Sequence, residues 1–189
     1  MDMIRSFCSV TPELRRRAKA VNFGIVYGIS AFSLSQDIGV SVAEAKEYMD
    51  NYFATYQGVR QYMTDVVEKA KQDGYVETLL HRRRDLPEIR NSNFNLRAFG
   101  ERVALNMPIQ GTAADIIKIA MVNIARRLKS EHLHAQMIMQ VHDELNFNVP
   151  RNEIEQVRTL VVDEMQNVVH ISVPLIADCG VGTNWLEAH

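Results

Sequence analysis

Three features of the 189-residue sequence predict an α+β fold. Helix-start and helix-stop residues crowd the first 75 positions. Two short apolar runs, Met137 to Met139 and Leu145 to Val149, meet at the polar step Gln140-Val-His-Asp-Glu144. One helical stretch then separates that hairpin from a last apolar run, Val173 to Val181. Helices in the first half and strand-helix-strand in the second imply two subdomains rather than alternating βα units.

The elements follow in order. Thr11-Pro12-Glu13 opens a helix with a hydroxyl cap, a proline at the first helical position and an acid in the first turn. It should run to Gly28, where glycine can take the left-handed position that ends helices. Ser41-Val-Ala-Glu44 is a capping box for a helix reaching about Tyr56. A third helix covers about Val59 to Gln72 and stops at Gly74; Tyr75 to Leu80 then reads as a strand. Phe94 to Lys129 has helical periodicity but contains Pro108, which predicts two helices or one kinked helix. Leu145, Phe147 and Val149 alternate with Asn146 and Asn148, the period of a half-buried strand. Asn152 to Val169 reads as helix and Val173 to Val181 as a final strand.

Composition narrows the class without naming a function. Hydrophobic residues at 47% and charged residues at 23% are those of a globular chain, which speaks against disorder. No apolar run has the length of a membrane span, and the N-terminus does not read as a signal peptide. Two cysteines are too few for a disulfide framework, so a reduced cytosolic setting is the default. The net charge of −2 counts weakly against nucleic acid, yet the cations cluster in ELRRRAK (13–19) and HRRRD (81–85), with Arg90, Arg97 and Arg102 following.

In the first helix Arg15, Lys19, Phe23 and Tyr27 recur every fourth residue, so two cations precede two aromatic rings on one broad face. A nucleoside triphosphate has the same layout, with anionic oxygens at one end and a flat base at the other. An ordinary amphipathic helix also explains much of the pattern, but it explains Arg15 and Arg16 poorly, because the helix dipole disfavours cations at an N-terminus. Gly24 costs the helix about 1 kcal/mol relative to alanine and suggests a close approach there. Arg102, Asn106 and Gln110 repeat the four-residue step. They are either a solvated face or donors suited to the acceptors that every base pair shows in the minor groove. Asp143 and Glu144 are either an acidic hairpin tip or a hard-metal site of the kind that takes Mg²⁺ and phosphate oxygens.

RRRAKAVNFGIVYG (15–28) resembles the fingers-helix signature of the A family of DNA polymerases, the bacterial DNA polymerase I family, with Arg15, Lys19, Phe23, Tyr27 and Gly28 matching position by position. The resemblance implies that Arg15 and Lys19 bind the incoming triphosphate, that Phe23 meets its sugar and base, and that Tyr27 lies at the insertion site. ERVALNMPIQGTAADIIK (101–118) is similar to the segment whose Arg, Asn and Gln touch primer-template DNA, here Arg102, Asn106 and Gln110, with Asp115 structural. VHDE (141–144) looks like the family's second metal motif: Asp143 as direct Mg²⁺ ligand, Glu144 beside it, His142 close to the primer end. Lys19, Asp143 and Glu144 are then the expected catalytic residues.

Residues 1–90 would form the fingers, with the nucleotide helix at 12–28, and residues 91–189 the later palm, with the metal hairpin at 137–149. The implied function is template-directed nucleotidyl transfer in the bacterial cytoplasm, with primer-template DNA, dNTP and the remaining polymerase parts (thumb, first palm strand) as partners. The first metal-binding aspartate is not found in this sequence; DMIRSF (2–7) resembles the family's segment just downstream of the strand that carries it. The chain alone is therefore expected to be a catalytically incompetent fragment that binds nucleotide or DNA. A phosphate-binding regulatory domain is the remaining alternative, one in which Arg102, Asn106 and Gln110 are dispensable for DNA contact. Departures from the family pattern are His81, where glycine is usual before the arginines, and Asn146 and Asn148, where Val and Glu are common.

Overall fold

The computed structural model describes residues 11–188, so the DMIRSF stretch lies outside the described residues. The chain divides into two compact units, Met1–Ile109 and Gln110–His189.

The first unit contains α1 (Pro12–Val26), α2 (Ala31–Ile38), α3 (Val42–Thr55) and α4 (Gln57–Asp73), then the hairpin β1 (Tyr75–Glu77) and β2 (Arg83–Asp85). A 3-10 turn, Pro87–Arg90, leads into α5 (Phe94–Ser130), whose first part belongs to this unit. The local signals act as expected. Thr11 accepts from the Leu14 N–H at the start of α1, and Ser41 and Glu44 cap each other's backbone at α3. Gly28 (φ +74°) ends α1 with Gly28 N–H on the Ile25 carbonyl and Ile29 N–H on the Gly24 carbonyl, the paired bonds of a Schellman stop. In that motif Ile29 folds back on Gly24, where a Cβ would come within 3.0 Å of the Ile29 side chain. The close approach that Gly24 suggested includes this internal contact.

Helix α2 has no counterpart in the sequence expectations, although Ser30 caps it and Gly39 (φ +68°) ends it. Its Leu34 and Ile38 pack with Ala45 against Ala20, Val21 and Ile29, a small core that backs α1. A second core joins Ala70, Val76, Leu86, Ile89 and Ala104. Gly100 lets α5 pass the 3-10 turn, since a Cβ there would meet the Ile89 backbone at 2.8 Å.

In the second unit Ala120, Ile124 and Leu128 of α5 pack with Ala135 and with Val157, Leu160 and Val161 of α6 (Ile154–Gln166). Leu145, Phe147 and Met137 of the antiparallel hairpin β3 (Gln136–Val141) and β4 (Glu144–Asn148) close over that core. Helix α7 (Trp185–Ala188) ends the unit.

Two sequence expectations change, and a third, for the Pro108 segment, narrows to one of its alternatives. The Tyr75–Leu80 strand shortens to Tyr75–Glu77, because its partner is the charged run Arg83–Asp85, which no apolar alternation marks. The Arg83 guanidinium lies 3.7 Å from the Tyr75 ring centre, a cross-strand stack that supports the pairing. Helix α5 is one helix of 37 residues with Pro108 inside it, so the two-helix outcome is excluded. Proline withholds one N–H from the Ala104 carbonyl, and burial of Ala104, Leu105, Ile117, Ala120 and Ile124 along the same helix outweighs that loss. Val173 to Val181 forms no strand. A strand needs a ladder partner as well as apolar residues, and Val173 (64% exposed) and Ile176 (80% exposed) have no described sheet or core over them.

Candidate functional site

The line predicted on α1 exists as a surface feature. Arg15 and Lys19 are exposed, and Phe23 and Tyr27 are stacked with ring centres 6.3 Å apart and planes 19° from parallel. The electrostatics separate three consecutive arginines. Glu13 holds Arg16 at 2.9 Å and Arg17 at 2.8 Å, and those two guanidiniums pull its carboxyl from 4.5 down to about 2. Arg15 and Lys19 make no ion pair with any described residue. The dipole penalty at the helix start is thus relieved for Arg16 and Arg17 by a first-turn acid, while Arg15 and Lys19 have no described acid beside them.

The back of α1 is held differently. Ala20, Val21 and Ile29 lie on the α2–α3 core, and the Tyr52 hydroxyl of α3 donates to the Asn22 side-chain carbonyl at 2.9 Å. Gly28 reaches α5: a Cβ on it would lie 3.2 Å from Leu105 Cδ1 and 3.5 Å from Arg102 Cγ. The end of the aromatic line therefore sits on the stem of the first residue of the polar ladder.

That ladder stays on one unbroken helix. Arg102 is exposed and Asn106 half-buried in the first unit, and Gln110 is exposed at the start of the second. Asp115 is half-buried on the same helix.

The hairpin places His142 and Asp143 at a two-residue turn between Val141 and Glu144, which face each other across the strands. His142 takes φ +54°, a backbone more often left to glycine, and the Gln140 amide donates to its carbonyl at 2.8 Å. Asp143 is exposed and has no hydrogen bond or ion pair with a described residue, while Glu144 is half-buried. At the open end of the hairpin a second carboxylate has a contrasting environment. Glu153 is buried and takes the His134 ring at 2.9 Å and the His134 and Ala135 backbone N–H groups at 2.8 and 3.2 Å. The His134 ring, followed by that backbone, keeps its carboxyl below the usual range.

Among the described residues no group of three or more His, Cys, Asp or Glu side chains could hold a metal ion. Asp143 and Glu144 supply two hard carboxylate donors, the number Mg²⁺ takes when water and phosphate complete its shell. A shallow groove of about 410 Å³ between Phe53, Arg60, Met63, Lys71 and Glu101 collects none of the residues singled out by sequence. Asn22, Tyr52 and Gln140 are additions made by the structure, since a single polar residue in an amphipathic pattern carries no periodic signal.

The signature of DNA polymerase family A matches residues 3–187. The chain belongs to this family. It is 52% identical over 179 residues to DNA polymerase I of Bacillus caldotenax and, over the same length, to that of Bacillus subtilis. Both matches cover 95% of this chain. It is 49% identical over 176 residues, 93% of the chain, to DNA polymerase I of Mycobacterium leprae. The chain spans about a fifth of the length of these relatives. Among solved structures it is similar to the polymerase domain of Pol1 from M. smegmatis, in complex with DNA primer-template and dNTP, at TM-score 0.93 and 48% identity. That match covers 95% of this chain and 32% of the solved one. No described helix is long and apolar enough to cross a membrane.

Proposed function

We propose that this chain carries the fingers (1–90) and later palm (91–189) of a template-directed DNA polymerase acting in the bacterial cytoplasm. The observation that carries the reading is the division of labour on α1, where Glu13 pairs with Arg16 and Arg17 while Arg15 and Lys19, without a described ion-pair partner, precede two stacked rings. In this reading a primer 3′-hydroxyl attacks the α-phosphate of a dNTP and pyrophosphate leaves. The Arg15 fork grips triphosphate oxygens. Lys19 Nζ adds a point charge and can give a proton to the departing pyrophosphate oxygen. Phe23 and Tyr27 form the platform for sugar and base. Arg102, Asn106 and Gln110 donate to the minor-groove acceptors that every base pair presents, which tests pair shape without reading sequence. His142 lies by the primer end.

Asp143 and Glu144 would hold Mg²⁺, which when bound stabilises phosphate charge and activates the hydroxyl. The turn that presents Asp143 is held by the Gln140 amide and by the core under Leu145 and Phe147. The family's first metal-binding aspartate, which a two-ion site needs, has no matching motif in these 189 residues, so the chain alone does not extend primers and its partners include the thumb and the first palm strand.

Primer extension tests both parts. The purified 189-residue chain should bind primer-template without extending it, and binding should weaken when Arg102, Asn106 and Gln110 are replaced together. Robust extension by the chain alone, abolished in Asp143→Ala, contradicts the proposed incompetence. Salt-dependent DNA binding that ignores the triple replacement contradicts the polymerase reading and favours a phosphate-binding regulatory domain.

A further inference from the structure

Helix α1 faces its neighbours with two kinds of contact. The apolar side, Ala20, Val21 and Ile29 on Leu34, Ile38 and Ala45, sets which face of the helix is down, but its attraction has no angular preference of its own. A long hydrogen bond, from the Arg16 guanidinium to the Asp37 carbonyl at 3.4 Å, ties only the start of the helix. A hydrogen bond is directional, weakening steeply as its angle bends. The Tyr52 hydroxyl on Asn22 at 2.9 Å joins α3 to the middle of α1. Asn22 immediately precedes Phe23 and lies three residues beyond Lys19, so it sits within the turn that presents both.

We propose that Tyr52 and Asn22 are positioning residues that set the roll of α1 and thereby aim Lys19 and Phe23 at the nucleotide. The proposal rests on the polymerase reading above and adds two residues that no periodicity marks. The lever is short. At the outer helix radius of about 6 Å, a roll of about 10° moves the outer part of a side chain by about 1 Å, a displacement large enough to matter in a reactive geometry. Tyr52 is itself well seated. Its ring lies 4.9 Å from Tyr56 and 5.8 Å from Phe53, centre to centre. The bond also has a matched acceptor, because Asn22 contributes the carbonyl side of its amide.

The test uses the complete polymerase that contains this chain, with single-turnover primer extension reading dNTP affinity separately from primer-template affinity. Wild type must extend primers and Asp143→Ala must not; if wild type does not extend, the polymerase reading itself fails. With that control met, Tyr52→Phe, which keeps the ring and removes only the hydroxyl, is expected to weaken dNTP affinity roughly threefold to tenfold, the range of one ordinary hydrogen bond. Primer-template affinity and melting temperature should stay at wild-type values. Asn22→Leu should match it, the double variant should be no worse than either single, and Asn22→Asp, which retains an acceptor, should recover most of the affinity. Wild-type dNTP affinity in Tyr52→Phe, or additive losses in the double variant, overturns the proposal. So does an equal loss in primer-template affinity, because that is what general loosening of the unit produces.

Discussion

On α1 the exposed cations Arg15 and Lys19 stand beside two arginines that Glu13 engages; in the β3–β4 region the exposed Asp143 stands at the turn, and Glu153, with both oxygens occupied, secures the open end. In each region side chains of one chemical type divide into a set that holds the structure and a set with no described partner. The helix achieves this with a first-turn acid, and the hairpin by burying one carboxylate under backbone donors. Residue type alone therefore does not mark a working group. In the proposed function the mark is a charge that the described fold leaves without a partner while satisfying its neighbour.

The largest way to break the comparison is at the carboxylates. In the polymerase carrying this chain, Asp143→Ala should reduce primer extension roughly a thousandfold, about 4 kcal/mol of barrier, with an unchanged melting temperature. Glu153→Ala should do the opposite, lowering the melting temperature and unpinning His134 and Ala135 while the residual folded enzyme keeps its rate. Extension assays and melting curves on the pair separate the two roles. Next in size is the support beneath them. Ile124 is fully buried in the core under the hairpin, and Ile124→Ala should destabilise by about 2–5 kcal/mol, read by denaturant unfolding.

The third prediction concerns pH. Glu13 has its folded pKa at about 2 against 4.5 in the ordinary state, so its contribution is fully present above about 4.5 and is lost as pH falls toward 2. The Glu153 carboxyl is lowered in the same direction by His134. Melting temperature should therefore drop between about pH 5 and 2. Glu13→Gln and Glu153→Gln should each flatten part of that drop. A drop unaltered by both replacements contradicts the assignment of these carboxylates to structure. The smallest effect belongs to the β1–β2 turn, where His81 takes φ +63°. His81→Gly should stabilise by a few tenths up to about 1 kcal/mol, seen as a slightly raised melting temperature.

How much of this was legible in the sequence depends on whether a signal was local. The Ser41–Glu44 capping box and the glycine stops at Gly28 and Gly74 are written in neighbouring residues, and the structure has them where expected. Helix α2 was equally local, with Ser30 and Gly39 at its ends, but eight residues give too few periodic positions to stand out. The β2 strand and the strand expected at Val173–Val181 depend on partners distant in sequence. Charged Arg83–Asp85 pairs because Tyr75–Glu77 is there to receive it, and apolar Val173–Val181 finds no described strand beside it. The candidate site residues stand out as spacing, Arg15 to Tyr27 and Arg102 to Gln110. Which arginine pairs with Glu13 does not, because the geometry around Glu13 decides it.

The most direct test of the division between holding and working charges sets Arg15→Ala against Arg16→Ala in the polymerase that contains this chain, reading dNTP affinity and melting temperature for each. Arg15→Ala should weaken dNTP binding roughly tenfold, about 1.4 kcal/mol, and leave the melting temperature alone. Arg16→Ala should leave dNTP binding alone and lower the melting temperature slightly. Equal losses of dNTP affinity in the two variants, or a loss confined to Arg16→Ala, contradict the account.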